Sequence, residues 1–428
     1  MRGKLKTIPK NFKLKGKKVL LRVDFNVPLE KFGNKYRVMD TARLEYAIPT
    51  IVRLSKAGAR VILLTHIGEP DGKIITALRV KPIIEKLKHL LPKEVPQPRS
   101  IYHWRFKQLR SLVNELEDGE IFCLENVRFH KGEEPNDRTF AKELSTLADL
   151  YVNEAFSVSH RTHASLVGIC NYLPHYAGWR FAEEVAALDR VSVRPRRPFV
   201  LVLGGAKAHD KIALMIKLVP RVTVILLAGV VANTLLKMKG IGIGRSRFDE
   251  HPAVASLEEL MKKFQAFPGF KEKINLLELP LDAIVANGPD GPARVVDFSA
   301  GENLKPTESI YDIGPKTMRH FAMFLRKART IVWNGPMGMI EQRRFRHGSL
   351  VVAEMIAARS KGKAFGVVGG GESIAVLNET GMAKHVDYIS TGGGAMLEYL
   401  SGQELSGLKP LLINPAGKVR GKSKEKTS

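Results

Sequence analysis

Cysteine is nearly absent: the 428 residues contain two, Cys123 and Cys170. That excludes a disulfide framework and any zinc module built on several thiolates, and it fits a reducing, intracellular setting. Long apolar runs are missing as well. The longest, from Val222 to Leu236, contains Thr223, Asn233 and Thr234 and is closed by Arg221 and Lys237, short of the roughly 18 residues a membrane helix needs. The opening MRGKLKTIPKNFKLKGKK has basic residues but no apolar h-region after them, so no secretory signal is expected and the cytoplasm is the expected location. No period of roughly 20 to 50 residues recurs, which removes solenoids and propellers. Acidic residues are scarce: 43 Asp+Glu stand against 68 Lys+Arg, a net charge of +25.

With 44% hydrophobic and 26% charged residues, the chain is globular and long enough for two or three domains, each with its own core. The charge makes polyanions the expected partner class: nucleic acid, nucleotides or phosphorylated metabolites. Its distribution narrows this. The first 18 residues hold eight Lys/Arg and no acid, and Ala416 to Ser428 holds five Lys/Arg and one Glu, so the ends carry +12 of the +25. They read as solvated basic tails, 416–428 being a disordered one, with weak nucleic-acid contact at most.

Short apolar runs of strand length recur between charged, helical-looking segments: Val19–Val23, Val61–Leu64, Ile121–Leu124, Leu150–Val152, Phe199–Leu203, Val222–Leu227, Ile284–Ala286, Ile331–Trp333, Phe365–Val368 and Tyr388–Ile389. Runs without an apolar/polar period predict strands buried on both faces, hence parallel α/β. Ligands bind such sheets beyond the carboxyl ends of the strands. In the first half the post-strand segments carry Asp24, Asn26, His66, Arg128, His160, Arg161 and His163; in the second they carry Gly204-Gly205-Ala206-Lys207, Ala228-Gly229, Gly335-Pro336-Met337-Gly338, Gly369 to Gly371 and Gly392 to Gly394. Converging cationic side chains suit a small anion, and glycine-rich helix starts suit nucleotide phosphates. Complementary halves predict a two-substrate phosphoryl-transfer enzyme, divided near Gly178 to Arg197.

Several phosphate signatures fail on inspection. GKVRGKS at 417–423 has one residue too few for a Walker loop and no strand before it. GIGIG at 240–244 lacks the third glycine of a dinucleotide fingerprint. His160 and His163 lack a carboxylate or thiolate to complete a metal site, and read as anion binding or a polar core network.

Eight strings in order then decide the matter: LRVDFNVPL (21–29), THIGEP (65–70), LENVRF (124–129), VNEAFSVSHRTHAS (152–165), LGGAKAHDKI (203–212), WNGPMGMIE (333–341), VVGGGESIA (367–375) and ISTGGGAMLEYLSGQELSGLKPL (389–411). In order and spacing the chain resembles phosphoglycerate kinase from about Lys17 to Leu412. AGVVAN (228–233) and YDIGPKT (311–317) look most like archaeal members. The resemblance implies reversible phosphoryl transfer from 1,3-bisphosphoglycerate to ADP, giving 3-phosphoglycerate and ATP with Mg²⁺. It implies an α/β fold of two doubly wound parallel-sheet domains facing each other across a hinge cleft: a glycerate-binding domain over 1–178, a nucleotide-binding domain over 179–399, and segment 400–415 packing back on the first. A monomer is expected, with no membrane partner.

Carried over by motif, the resemblance assigns Asp24 and Asn26 to the hydroxyl and carboxyl end of the glycerate, and Arg43, Arg128, Arg161 and His66 to its charges, with Gly68 and Glu69 in the adjoining turn. Arg43 is the sharpest assignment, since a guanidinium near the transferring group stabilises a metaphosphate-like transition state. Gly204, Gly205, Lys207 and Lys211 would meet the phosphates, Lys207 swinging toward the transferred group on closure. Asn334, Pro336, Gly338 and Glu341 would line the nucleoside. Gly370, Gly371, Glu372 and Ser373 would lie at a helix start under the phosphates, Glu372 holding Mg²⁺, and Gly393 and Gly394 would give amide donors. Each arginine has a plainer alternative as a surface or capping ion pair, and Glu341 as an exposed residue at a helix start.

The chain departs from the family at four places. Glu69 stands where the family has a basic residue, reversing a charge beside the expected glycerate phosphate site. Ser157-Val158 replaces a Gly/Ala-Thr pair, Glu154 replaces an Asp, and Glu372 lengthens a usual Asp. These leave a competing expectation: a catalytically weakened paralogue acting as a basic binding protein.

Overall fold

The computed structural model describes residues 3–250, 262 and 276–413; the expected tail at 416–428 lies outside the described residues. The chain divides into two compact units, Met1–Glu183 with Leu405–Ser428, and Glu184–Glu404. It passes from one to the other within a single helix, Trp179–Ser192.

The first unit is built on a six-stranded parallel sheet. Its spatial order is Arg99–Ser100, Ile121–Cys123, Arg60–Leu64, Lys18–Arg22, Leu150–Asn153, His175–Ala177. Val19 lies opposite Val61 on one side and Leu150 on the other. Alternate residues of the central strand enter different cores. Val19, Leu21 and Val23 pack with Leu44, Ile51 and Leu54 of helix Ala42–Lys56 and with Ile83 and Leu87 of helix Lys81–Leu90. Leu20 packs with Leu109 and Val113 of helix Phe106–Asn114 and with Phe140 and Leu144 of helix Arg138–Ser145. This doubly covered sheet explains why its strands are apolar without alternation; each fully buried Leu or Val contributes roughly 1.5–3 kcal/mol. The last described residues complete this unit. Lys6 N donates to Leu411 O (2.7 Å), Ile413 N to Lys4 O (2.7 Å) and Gly407 N to Ser159 O (2.7 Å).

The second unit repeats the plan, in the order Leu277–Glu278, Val224–Leu227, Phe199–Leu203, Thr330–Asn334, Phe365–Gly369, Tyr388–Ser390. Val200, Val202, Ile331 and Trp333 share a core with Phe321 and Leu325 of helix Pro315–Lys327 and Val352 and Ile356 of helix His347–Arg359. Helices Ala208–Leu218, Gly229–Met238 and Gly393–Leu400 pack side by side.

One expectation fails here. The run Ile284–Ala286 is not in a parallel sheet: strand Asp282–Ala286 is the centre of a three-stranded antiparallel sheet between Ala293–Asp297 and Ser309–Ile313. Three apolar residues carry no information about the direction of the neighbouring strand, and this sheet carries a small core cluster of its own, Ala283, Val285, Val296 and Leu304 with Phe298 and Ile310 packed against it.

Candidate active site

In both sheets the strand order reverses next to the first strand of the unit, between Lys18–Arg22 and Leu150–Asn153 and between Phe199–Leu203 and Thr330–Asn334. A crevice opens beyond the carboxyl ends at such a point, and the expected site residues leave the sheets there.

In the first unit, Asp24 follows the central strand and is 9% exposed. Its carboxylate accepts from Arg43 Nη1 (2.6 Å), the Ser157 hydroxyl and Asn26 N (3.1 Å). Burial alone would raise its pKa, but charge and hydrogen bonding outweigh burial and hold the carboxyl below its usual range. Asn26 Oδ1 accepts from Gly68 N (2.9 Å), and Arg128 Nη1 donates to Gly68 O (2.7 Å). Asn126 fastens this turn from beneath, accepting from Ile67 N (3.2 Å) and donating to Ile67 O (2.8 Å).

His66 is buried, and burial together with the Arg22 charge pushes its pKa well below the usual imidazole value. It is therefore neutral at pH 7. Arg22 Nη2 lies 3.3 Å from His66 Nδ1, and a guanidinium can only donate, so Nδ1 carries the lone pair and Nε2 the proton. The 3.9 Å approach of His66 to Asp24 is thus no ion pair, and the Asp24 charge rests chiefly on Arg43. Arg22 itself is 1% exposed and part of a closed network: Nε donates to Ser165 Oγ (3.0 Å), whose hydroxyl donates to Glu133 Oε1 (2.5 Å). His163 faces Glu133 at 3.7 Å and burial lowers its pKa to about 3; the His-Arg-Thr-His segment thus gives this buried network one neutral imidazole. Arg161 is exposed beside it. Glu69 is 74% exposed and 3.9 Å from Arg128 Nη1, while Arg128 Nε is 3.3 Å from Glu134.

In the second unit the two loops at the switch point are hydrogen-bonded to each other, Gly204 N to Asn334 O (3.1 Å) and Gly205 N to Pro336 O (2.8 Å). A Cβ on Gly204 would lie 1.9 Å from Pro336 O, and one on Gly335 would lie 2.3 Å from Gly204 O. Only glycine permits this approach. Lys211 is buried with its Nζ 3.3 Å from the position a Gly205 Cβ would take, and Glu372 Oε2 is 3.4 Å from the same point. Lys207 is exposed at the start of helix Ala208–Leu218. That helix, Gly229–Met238, Gly371–Glu379 and Gly393–Leu400 all begin without a side-chain cap bond, leaving backbone N–H groups for an anion. A Cβ on Gly371, Gly393 or Gly394 would meet nothing within 4 Å, so these faces are open. Ser373 is fully buried and accepts from Gly335 N (2.8 Å), holding the loop. A cavity of about 420 Å³ adjoins, lined by Gly205, Pro336, Gly338, Glu341 and Glu372 among others.

Asp312, absent from the expected site residues, lies under this cavity. Its carboxylate accepts from Gly348 N (2.9 Å) and Ile313 N (2.9 Å), and a Cβ on Gly338 would lie 2.4 Å from its Oδ1. Burial pushes it up to about 7, and Glu184, which accepts from Tyr388 (2.8 Å) and Ser390, also to about 7. The unfolded groups titrate near 3.8 and 4.5, so the folded unit binds more protons across this window. Stability is full below the lower values and declines as pH rises through about 7. Asp312→Asn is expected to flatten that decline by on the order of 1–3 kcal/mol, read as a smaller change in thermal midpoint between pH 4.5 and 7.5 than in the wild type.

Two α/β units, one with arginines gathered beyond its sheet and one with glycine-built loops and uncapped helix starts, fit the class of small-molecule kinases. Residues 9–403 match the phosphoglycerate kinase family. The chain is 41% identical over 404 residues to the phosphoglycerate kinase of Moorella thermoacetica, covering 94% of this chain and 98% of that one, and 41% identical over 405 residues to that of Thermomicrobium roseum at the same coverage. The solved phosphoglycerate kinase from Coxiella burnetii superposes with a TM-score of 0.79 at 34% identity, covering 95% of this chain and 99% of that one, and that from Pyrococcus horikoshii OT3 with 0.77 at 32%, covering 95% and 98%. The chain belongs to the phosphoglycerate kinase family. It is a transferase, moving a phosphoryl group reversibly between 1,3-bisphosphoglycerate and ADP. The archaeal affinity expected from AGVVAN and YDIGPKT finds no support: the curated relatives at 38–41% identity named here and beside them are bacterial.

Proposed function

We propose that the first unit holds the glycerate and the second the nucleotide, with the residue roles that the motifs imply. The observation that carries this is the division of chemistry: Arg43 and neutral His66 flank Asp24 in one unit, with Arg128 bonded to the neighbouring Gly68 turn, and the other unit offers uncapped helix starts, with Lys211 and Glu372 beside Gly205. In the ATP-forming direction the carboxylate of 3-phosphoglycerate is the leaving group; in reverse it is the nucleophile, already ionised at neutral pH. No strong base is required, and positioning and charge supply the catalysis. Arg43 stabilises the transferring phosphoryl group, Lys207 and Lys211 its oxygens, and the amides of Gly393 and Gly394 the same charge.

Among the described residues no group of three or more His, Cys, Asp or Glu gathers as a metal site. A single carboxylate, Glu372, beside the phosphate cradle fits Mg²⁺, which is held largely by substrate phosphates and water. Mg²⁺ brought with ATP or ADP neutralises their charge. The proposed setting is the cytoplasm, acting as a monomer, and no described helix is long and apolar enough to cross a membrane. A coupled assay for ATP- and 3-phosphoglycerate-dependent product tests the whole reading; absence of turnover in folded protein would overturn it.

Glu69 motivates the weakened-paralogue alternative, yet its side chain is mostly in solvent and leans toward Arg128. A carboxylate facing the substrate phosphate would be opposed by several kcal/mol at an effective dielectric near 20. Glu69→Arg is therefore expected to change KM for 3-phosphoglycerate by less than about tenfold, roughly 1.4 kcal/mol. A much larger drop in steady-state KM would revive the alternative.

A further inference from the structure

The parallel sheet of the second unit has two ends, and its carboxyl end carries the candidate site. The four central strands enter at the other end, about 13 Å away along a strand of five residues. Each entry carries a cation: Arg221 before Val224–Leu227, Arg197 before Phe199–Leu203, Arg329 before Thr330–Asn334 and Lys363 before Phe365–Gly369. These strands are neighbours in that order, so the four entries succeed one another at about 4.8 Å intervals. Hydrogen bonds tie each entry to the next. Arg197 Nη2 donates to Pro220 O (3.0 Å), Arg329 N to Pro198 O (2.8 Å), Thr330 Oγ1 to Arg196 O (2.8 Å) and Phe365 N to Arg329 O (3.0 Å).

Helices Pro315–Lys327 and His347–Arg359 end beside this row, and a concavity of about 370 Å³ opens there. Arg326, Arg359 and Lys363 line it together with Met355 and Ala358, and Glu354 is the carboxylate in its wall. Arg359 is half-buried, with its Nε fixed on Ala328 O (3.0 Å). Among the described residues none of the six cations Arg197, Arg221, Arg326, Arg329, Arg359 and Lys363 takes part in an ion pair. Asp387, a carboxylate at this end, accepts instead from Lys361 N (3.0 Å) and Gly366 N (2.8 Å). Arg326 and Arg359 have a plain structural reason, since a cation in the last helical turn opposes the carbonyl end of the helix dipole. The four strand-entry cations lie outside the helices, and gathering like charges without counterions costs stability.

We propose that this edge of the second unit binds nucleic acid by its sugar-phosphate backbone, a function separate from phosphoryl transfer and independent of the kinase assignment. Guanidinium forks match phosphate oxygens. A row of successive cations matches a chain of successive phosphates, whereas a single phosphorylated metabolite would occupy only part of it. A flat anionic membrane would meet the rim but not the recessed Arg359. A single strand can enter the concavity, where an unstacked base would lie on Met355 and Ala358 while its phosphates meet the arginines.

The test is fluorescence anisotropy of a labelled single-stranded RNA of roughly 20 nucleotides, longer than one site needs, over a salt series. It compares the full chain, Arg197→Gln/Arg329→Gln/Lys363→Gln, and Lys10→Gln/Lys13→Gln/Lys15→Gln, which removes the same charge from exposed positions of the first unit. The wild type is expected to bind with a logarithmic salt slope of about −3 to −4, as about five neutralised phosphates of a single strand give. The second-unit variant should bind at least about tenfold more weakly with a slope smaller by about 2, and the first-unit variant within about threefold of wild type. Both should keep the kcat and KM of the kinase, and saturating MgADP with 3-phosphoglycerate should leave the RNA affinity unchanged. Equal losses in the two variants would reduce the binding to net charge, and competition by the substrates would place it in the active site; either overturns the proposal. So does absence of RNA binding, including the case in which vesicles of phosphatidylserine and phosphatidylcholine bind instead. Should the triple variant fail to fold, Arg329→Gln and Lys363→Gln singly should each lower the slope by about 0.7, and an unchanged slope in both overturns the proposal.

Discussion

Arg43→Ala is expected to lower kcat at least ~10²-fold while leaving the fold intact. Arg43 is one third exposed, and without it the Asp24 carboxylate still accepts from the Ser157 hydroxyl and Asn26 N, so the unit should stay folded. The value of Arg43 lies in the reaction. The guanidinium is already oriented by Asp24 Oδ2 at 2.6 Å, and a donor fixed before charge develops pays no reorganisation cost when it does. Steady-state kinetics should show the loss in kcat more than in KM, Arg43→Lys should recover part of it, and Lys4→Ala, at an exposed position in the basic N-terminal segment, should change neither. Near-normal kcat in Arg43→Ala would sink the assigned mechanism.

Glu133→Ala is expected to produce the largest loss of stability in the first unit, roughly 3–5 kcal/mol, because it leaves Arg22 charged and buried without its counterion. Both residues are essentially sealed from water, and burial acts on them in opposite directions, lowering the Arg22 pKa and raising that of Glu133. Their mutual attraction and Ser165 between them offset that cost. Differential scanning calorimetry, read for the transition that the substitution shifts because the chain has two units, should show a drop of on the order of 10 °C or more. The Arg22→Met/Glu133→Ala double variant should be more stable than Glu133→Ala alone, since it removes the orphaned charge as well. A loss below about 1 kcal/mol in the single variant would show that water or another group compensates Arg22. The double variant should nonetheless lose activity, because His66 Nδ1 would no longer have the donor that sets its tautomer.

Much of this could be read before any coordinates. Nine of the ten apolar runs are strands of the two parallel sheets, because a strand covered on both faces must be apolar throughout, and that requirement is local. The hairpin of Leu29–Phe32 with Lys35–Val38 went unread because it is mostly exposed and its residues satisfy no buried pattern. The glycine loops were legible because a Cβ at these positions would fall within about 3 Å of the facing backbone, which tolerates no other residue. Ser373 was legible only as part of a motif; that it faces inward, onto Gly335 N, depends on the rotation of a helix that begins two residues earlier.

What the chain's order of residues determined alone was therefore the α/β class, the positions of the post-strand loops and the division into a cationic half and a glycine-rich half, since each follows from local patterning and spacing. What tertiary structure decided was which charges meet. Arg22 sits inside an apolar strand run and Glu133 more than a hundred positions later; their pairing exists only because neighbouring strands and the loop carrying Glu133 close over the same buried space. Arg245 and Arg247 look like scattered basic residues until hydrogen bonds to Asn233 and Glu308 set them across a cavity. Side-chain charge is encoded residue by residue, but its energy depends on distance and on exclusion of water, and both are properties of the folded arrangement.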